Sequence, residues 1–286
     1  MSASLFDALV LSKPYFDREG LIVAEEDDRA VGFVHAGFGA TEDESDLSHD
    51  LGVTCLLLTH PQAPQQVVGP ELLHQSEAYL RAHGAKVLYA GGIQPLVPFY
   101  WGLYGGSEMP GILDSDAEMQ GFFLGHGYRK IDQVTIFHRE LAGFRPTIDR
   151  RQMQIRRSTR IEVTIDPPAK TWWEACTQGA MNRILYVLRQ GEAIVARALF
   201  WDLQPLATAW GVNAQGLIHV EVAPEKRKQG LAAYLIGEAL REMQQQGVTL
   251  VEAQAMQHNR PALGLYHRLG FTPIDQGSVL RKQQDD

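Results

Sequence analysis

Short apolar runs and amphipathic stretches alternate along the chain, and each kind predicts a different element. In the first half, two apolar runs flank the acidic turn 25–28, which is typical of a β-hairpin. A third apolar run, an amphipathic stretch and a fourth apolar run follow. These patterns predict strands at 21–24, 30–34, 50–59 and 86–90, and a helix at 70–82 with Pro70 in its first turn.

The second half shows the same order of patterns. Leu231 and Leu235 belong to an apolar series at helical spacing, which predicts a helix over 231–245. Gly84 and Gly247 follow the two predicted helices, where glycine often ends a helix. The apolar runs of this half predict strands at 184–188, 193–200, 217–222 and 249–253. Strands that alternate with helices predict a mixed α/β sheet in each half.

An internal repeat relates the two halves. Residues 118–134 and 261–277 align at a constant offset of 143 positions, which pairs Gly121 with Gly264 and gives Ile-Asp-Gln in both copies. Two copies of one unit would fill the chain, so the repeat predicts a tandem duplication. We place the two domains at 1–144 and 145–286.

The length of 286 residues fits about two domains, and the arginine-rich stretch 145–160 is the best candidate for their linker. Hydrophobic residues make up 45% of the chain, but no apolar run reaches the roughly 18 residues of a membrane span. The net charge of −8 argues against nucleic-acid binding, which needs a basic face. The chain start does not resemble a signal peptide, and two cysteines make no disulfide framework or zinc knuckle. We therefore expect a cytoplasmic protein without a metal or a membrane partner.

Residues 220–232 join a predicted strand to a predicted helix through a basic loop that contains Gly230. Backbone N–H groups in such a loop converge with the free N–H groups of the helix start, and the helix dipole adds positive potential. Gly230 leaves room for a phosphate against the backbone, and Ala232 keeps the next turn small. The stretch therefore predicts a cradle for an anion.

Two motifs resemble the signatures of the GNAT superfamily of acetyl-CoA-dependent N-acetyltransferases. Residues 227–232 match its Arg/Gln-x-x-Gly-x-Gly/Ala loop. Residues 259–271 look like its second signature, with Asn259, Tyr266 and a Gly-Phe pair in order. The resemblance implies two tandem GNAT-like acyltransferase domains with a mixed α/β sheet, and acetyl-CoA as the cosubstrate.

The resemblance also implies a role for each matched residue. The loop would cradle the coenzyme A pyrophosphate, and the strand 220–222 would splay from its neighbour and pair with the pantetheine amides. Asn259 would bond the pantetheine arm, and Arg268 is a further candidate for the phosphates. The implied cofactor-binding residues are Val220, Val222, Arg227, Lys228, Gln229, Gly230, Leu231, Ala232, Asn259 and Arg268.

Three side chains are candidates for proton transfer. In the resemblance, Tyr266 would point at the coenzyme sulfur and protonate the departing thiolate, since the pKa of a phenol, about 10, lies above that of a thiol, about 8.5. The acceptor amine attacks only in its neutral form, so a proton acceptor is also needed. His219 and Glu221 share one face of the predicted strand. Glu221 is the favoured base, and His219 is the close alternative.

The first half departs from the family pattern. Its loop keeps Gln-x-x-Gly but has Glu71 where the family has Gly or Ala, and it contains no Lys or Arg. The repeat places Phe123 opposite Tyr266 and Asp116 opposite Asn259, so the proposed acid has lost its hydroxyl. These differences predict a GNAT fold without the chemistry.

An aromatic, glycine-rich insertion in the first half, 98–111, is of a kind that lines binding clefts. The expected activity is transfer of acetyl from acetyl-CoA to an amine by direct attack, catalysed by the second domain. A non-catalytic ligand-binding protein with the same fold and a protein with two active domains are the alternatives. The acidic balance favours a cationic acceptor, either a small-molecule amine or a peptide amine. Because two fused copies mimic a dimer, we expect a monomer.

Overall fold

The computed structural model describes residues 3–93, 96–101, 106–146, 148–203 and 211–283 of the chain. In the first half, the predicted hairpin forms, and its turn holds Asp27 and Asp28 at positive φ, which short polar residues tolerate. The helices of this half are α1 (Ala3–Phe6), α2 (Gln65–Ala82) and α3 (Ala117–Gly125), and its strands are β1 (Leu21–Glu26), β2 (Arg29–Ala40), β3 (Leu47–Thr59), β4 (Val87–Ala90), β5 (Ile112–Leu113) and β6 (Tyr128–Glu140).

In the second half, a helix, a strand and a second helix precede the hairpin, and the same order of elements follows. Its helices are α4 (Arg150–Ser158), α5 (Trp172–Gln178), α6 (Leu231–Gln245) and α7 (Arg260–Arg268), and its strands are β7 (Arg160–Ile165), β8 (Arg183–Gln190), β9 (Ala193–Asp202), β10 (Ala214–Val222), β11 (Leu250–Met256) and β12 (Thr272–Lys282). Gly84 and Gly247 adopt positive φ just beyond α2 and α6, as glycine at a helix end should.

Two predictions about the helices are wrong. Helix α2 begins at Gln65 rather than at residue 70, so Pro70 lies inside it, where the missing N–H removes one hydrogen bond of the helix. Gly69 therefore also lies inside a helix and not in a loop. The stretch 145–160 contains α4, whose Ile155 is buried in the core of the second half, so it is not an extended linker.

All the strands belong to one mixed sheet, in which the two halves exchange their last strands. The sheet order is β1-β2-β3-β4-β12-β6-β11-β10-β9-β8-β7, with β5 attached to β12. Strand β6 of the first half pairs antiparallel with β11 of the second half, and β12 of the second half pairs antiparallel with β4 of the first. The two exchanged strands also pair with each other along most of their length. Each half therefore completes the sheet of the other.

The packing follows the strand exchange. The core around α6 includes Phe137 from β6, and the core around α2 includes Leu280 from β12. A third cluster joins Trp101 of the first half to Trp201 and Leu203 of the second. Burial of apolar surface thus couples the halves directly, at about 25 cal/mol for each Å² removed from water. Over the residues that the structure describes, no helix has both the length and the apolar character needed to cross a bilayer.

Candidate functional site

The two central parallel strands of the second half separate at their carboxyl ends. Strand β10 pairs with β11 from Ala214 to Leu217 only, and the pairing stops at Leu217 and Ala253. An irregularity between Leu217 and His219 bends β10 against β9 at the same level. The backbone of residues 218–222 therefore faces an open wedge on the β11 side, as the sequence led us to expect.

The basic loop stands at the end of this wedge. After a 3₁₀ turn over Pro224–Lys226, Lys228 and Gly230 adopt positive φ, and Gly230 is the N-cap of α6. No side chain of the described residues caps this helix start. The first N–H groups of α6 are thus available to an anion, and the helix dipole favours negative charge there.

Arg151 of α4 hydrogen-bonds to the backbone of the basic loop. Its guanidinium donates to the carbonyl oxygens of Lys228, at 2.5 Å, and Gln229, at 2.8 Å. An added Cβ at Gly230 would come within 3.3 Å of the same guanidinium. Arg151 therefore fixes the conformation of the loop and adds positive charge beside it. The spacing of the sequence motif gives no sign of this contact, because α4 lies 77 residues before the loop.

Helix α7 packs on β11 and carries Asn259 at its N-cap and Tyr266 in its last turn. The Asn259 side chain caps α7 by accepting from the N–H of Ala262, at 3.2 Å. In the first half, Asp116 caps α3 in the same way, so the repeat keeps the cap in both copies. The exposed asparagine also lines the cavity described below, so its amide group remains within reach of a ligand.

Tyr266 is buried between two aromatic rings. Its ring lies 5.6 Å from that of Phe137 and 5.5 Å from that of Phe271. Burial raises the pKa of Tyr266 well above its usual value, and the nearby Glu108 carboxylate raises it further. The phenol is therefore protonated at neutral pH and able to act as an acid.

A cavity of about 500 Å³ opens between the two halves at the wedge. The second half contributes His219, Gln254 and Asn259 to its wall. Trp101, Glu108 and Met109 of the first half also line it, as expected for the insertion 98–111. The part of that insertion at 102–105 lies outside the described residues. The cavity is therefore a composite of both halves.

The two candidate bases on β10 are near each other but have different surroundings. His219 Nε2 lies 3.9 Å from a carboxylate oxygen of Glu221, so they share a face as predicted, and both side chains are 54% exposed. His219 lines the composite cavity, whereas Glu221 faces Arg197 in a separate shallow depression. The placement favours His219 over Glu221, and the role of either residue stays a prediction.

The remaining candidates lie around the loop or in a second groove. The Arg227 Nε donates to the carbonyl of Val222 at 3.3 Å, which closes the loop back on β10. Arg268 ends α7 and lines a basic groove of about 460 Å³ between α4 and α6, together with Arg139 and Arg156. The same groove includes Ala233 in the first turn of α6, and the contact of Arg268 with a phosphate stays a prediction.

The corresponding region of the first half is filled by apolar side chains. Strands β3 and β4 also separate, after Thr54 and Ala90. Leu57, Ile112 and Phe123 pack into one buried cluster there, with α2 against them. Since α2 starts directly after Pro64, no glycine loop precedes it.

Sequence reasoning missed the importance of Glu108. Burial and the neighbouring Glu252 raise the pKa of the Glu108 carboxyl to about 8. The insertion that contains it stood out by its aromatic and glycine content, but the residues that surround Glu108 belong to distant parts of the sequence.

Comparison with known proteins finds one family model that matches part of the second half. Residues 151–271 match the acetyltransferase (GNAT) family. No curated protein matches the sequence. The matched segment contains α4, the basic loop, Asn259 and Tyr266, and it ends at Phe271.

Solved structures show the same fold. One is a glucosamine N-acetyltransferase region in a fungal multi-domain GH3 β-N-acetylglucosaminidase, 20% identical with a TM-score of 0.66 over 91% of this chain. This chain spans only 32% of that protein. A tandem GNAT protein from the clavulanic acid biosynthesis pathway is 14% identical, with a TM-score of 0.62 over 95% of this chain and 86% of that one. A GCN5-related N-acetyltransferase from Sphaerobacter thermophilus is 16% identical, with a TM-score of 0.59 over 92% and 80% of the two chains.

The chain thus has a mixed α/β GNAT fold, and its 286 residues fit two GNAT-like domains. The family match over residues 151–271 supports acyl transfer as the general chemistry, and the structural neighbours show the fold.

Proposed function

We propose that the protein transfers acetyl from acetyl-CoA to an amine and that the second half holds the catalytic site. The observation that carries this proposal is the open wedge between β10 and β11, which ends at the basic loop before Gly230, together with the buried Tyr266 on α7, a helix that packs on β11. A thioester with a long amide-containing arm and a pyrophosphate fits such a site. The unpaired backbone groups of the wedge can pair with the amides of the arm, and the free N–H groups at the start of α6 can bind the pyrophosphate.

Each part of the site has one task. The loop and the start of α6 bind the pyrophosphate, and Arg227 and Lys228 supply positive charge. The backbone of Val220 and Val222 pairs with the pantetheine amides along the wedge. Asn259 bonds the same arm while it caps α7.

Tyr266 protonates the departing thiolate. The raised pKa of Tyr266 keeps its proton in place before the reaction. The thiolate that forms as the thioester breaks takes this proton, and the excess proton of the attacking nitrogen neutralises the phenolate. The amine attacks directly, so no acyl-enzyme forms and no cysteine is required; Cys55 is buried on β3, on the side of the first half.

The first half takes part through the cavity and not through a second cofactor site. In this half Leu57, Ile112 and Phe123 belong to one buried apolar cluster, and its helix start lacks the glycine loop. We therefore propose one acetyl-CoA per chain, with Trp101 and Met109 shaping the place where the acceptor binds.

The test combines titration calorimetry with acetyl-CoA and release of free thiol in the presence of a panel of primary amines. One acetyl-CoA bound per chain and thiol release only with an amine support the proposal. Binding of acetyl-CoA without transfer to any amine indicates the non-catalytic alternative. Two equivalent sites indicate that both halves bind the cofactor.

A further inference from the structure

Glu108 stands out among the carboxylates of the cavity by its position. It comes from the first half, yet it lines the cavity beside residues of the second half. Its chain neighbours Ser107 and Met109 are 0% and 2% exposed, while Glu108 itself is only partly buried. The exposed part of Glu108 therefore opens into the cavity and not onto the outer surface.

The second half holds the segment around Glu108 in place. The Gln254 side chain of β11 donates to the Glu108 carbonyl oxygen at 2.9 Å. One oxygen of Glu252 accepts from the backbone N–H of Ser107 at 2.6 Å and from the Ser107 hydroxyl at 2.9 Å. Strand β11 thus fixes both the residue before Glu108 and the Glu108 backbone itself.

The carboxyl group of Glu108 has no hydrogen-bond donor among the residues that the structure describes, whereas the other cavity carboxylates are occupied. Glu44 accepts from the Thr171 hydroxyl at 2.7 Å, and Glu174 forms an ion pair with Arg183 at 2.6 Å. Burying a carboxyl group without a donor is costly unless a ligand supplies one. Glu108 is therefore the carboxyl in this cavity that is free to bind a cationic group.

We propose that Glu108 binds the ammonium group of the acceptor and takes its proton, and that the acceptor is a primary amine with an aromatic or apolar body. The inference rests on the proposed function for its chemical step. The apolar part of the acceptor is assigned to Trp101, Met109 and Trp173, which line the same cavity. No lysine or arginine of the described residues pairs with Glu108, so a cationic ligand is the missing partner.

The acetyl transfer exchanges the C–S bond of the thioester for a C–N bond. The ammonium passes one proton to the Glu108 carboxylate, and the neutral nitrogen forms a bond to the thioester carbonyl carbon. The C–S bond breaks, its electron pair stays on sulfur, and the thiolate takes the Tyr266 proton. The nitrogen loses its excess proton to the Tyr266 phenolate, and Glu108 returns its proton to solvent. The products are an N-substituted acetamide, a free thiol and one proton.

The titratable groups around Glu108 agree with this role. Glu252 lies next to it on β11 and raises its pKa, which reaches about 8. His138 of β6 lies 3.2 Å from the second carboxylate oxygen of Glu252. Tyr266 of α7 is close enough for the charge of Glu108 to raise its pKa, and His219 of β10 lines the same cavity as Glu108. A base of this pKa is half ionised at about pH 8, within the range in which general-base catalysis is effective.

The first experiment measures binding without acetyl-CoA, so it does not depend on the proposed transferase activity. Calorimetry compares phenethylamine, the cationic probe, with 2-phenylethanol, its neutral counterpart, at pH 8. The wild type should bind the amine at least tenfold more tightly than the alcohol, and E108Q should bind the two alike. Absence of phenethylamine binding, or discrimination that survives in E108Q, overturns the inference.

The second experiment measures acetyl transfer against pH. In E108Q, kcat/KM should fall by roughly 10²–10⁴, and the rise of kcat/KM with an apparent pKa near 8 should disappear. The control is E77Q, which changes a carboxylate of α2 that is 14% exposed, pairs with Lys282 and lies outside the cavity. E108Q with more than a third of wild-type kcat/KM and an unchanged pH profile overturns the inference. A wild type that discriminates amine from alcohol but transfers no acetyl contradicts the proposed function alone.

Discussion

Gln133 and Gln276 are equivalent residues of the internal repeat, 143 positions apart, and their side chains hydrogen-bond to each other. They lie on the exchanged strands β6 and β12, on either side of the facing pair Val134 and Gly277. Val134 and Gly277 are themselves 143 positions apart, so equivalent residues face each other at the centre of the pairing. The two halves are therefore related by an approximate twofold axis through this pair.

The two residues at the centre of this pairing differ in size, and the first prediction concerns this difference. An added Cβ at Gly277 would lie 1.9 Å from the carbonyl oxygen of Pro110, whereas the equivalent Val134 carries a full side chain. Gly277→Val should therefore displace the segment that holds Glu108 and lower the free energy of unfolding by about 1–3 kcal/mol.

Urea unfolding checks this prediction, with Gly121→Val as the control. Gly121 lies on α3, where an added Cβ meets nothing within 4 Å. The control replaces glycine by a somewhat better helix former at an open position, so its free energy of unfolding should not fall. A Gly277→Val protein as stable as the control would show that the Pro110 segment is not confined by β12.

The second prediction concerns the proposed acid. Tyr266→Phe removes one hydroxyl and keeps the packing against Phe137 and Phe271. Phe123 already stands at the equivalent position in the first half, so the fold accepts the change. We expect kcat to fall by roughly 10²–10⁴ with little change in the affinity for acetyl-CoA.

Single-turnover acetyl transfer checks this, with Tyr234→Phe on α6 as the matched control. Tyr234 is also largely buried, but it lies on the other side of the second-half core. If Tyr266→Phe keeps more than about a third of wild-type kcat while chemistry limits the rate, the phenol is structural and the thiolate takes its proton elsewhere.

The third prediction is a pH dependence of stability. The pKa of Glu108 is about 8 in the folded protein against 4.5 as the ordinary value, so the folded state binds this proton more tightly. The contribution of this proton to stability is complete below pH 4.5 and is lost as the pH rises through 8. Glu108→Gln removes the titration, so its Tm relative to wild type should rise between pH 5 and pH 9.

Thermal unfolding at these two pH values provides the measurement. The quantity compared is the Tm of Glu108→Gln minus the Tm of the wild type, because the other titratable groups contribute equally to both proteins. An equal Tm difference at pH 5 and pH 9 would mean that the Glu108 carboxyl ionises as it does in water.

Local patterns in the sequence predicted the local elements well. Helix α6 begins at Leu231 and ends at Gln245 as predicted, because its apolar spacing and the flanking glycines agree. The start of α2 was wrong because proline favours the first turn of a helix, and here Pro70 lies five residues further in. The periodicity that marks a strand does not specify its neighbour, so the exchange of β6 and β12 was not predicted.

The same distinction applies to the site. The loop, Asn259 and Tyr266 lie within one segment with a recognisable order, so the sequence placed them near each other. Glu108 was missed because its environment comes from contacts such as that of Ser107 with Glu252, which span 145 residues. Tertiary burial, and not residue type, gives this carboxyl its altered pKa.

The measurement that tests the central claim most directly is titration calorimetry of acetyl-CoA binding, in which the Gly230→Glu variant is compared with the wild type. Gly230 has a φ of +81° at the start of α6, and a carboxylate there would face the pyrophosphate. Gly230→Ala introduces the same backbone strain without charge, and Gly121→Glu adds the same carboxylate to an open position of the first half. The account predicts one site per chain in wild type and Gly121→Glu, weaker binding in Gly230→Ala and none in Gly230→Glu. Binding that survives in Gly230→Glu, or two equivalent sites in wild type, would contradict it.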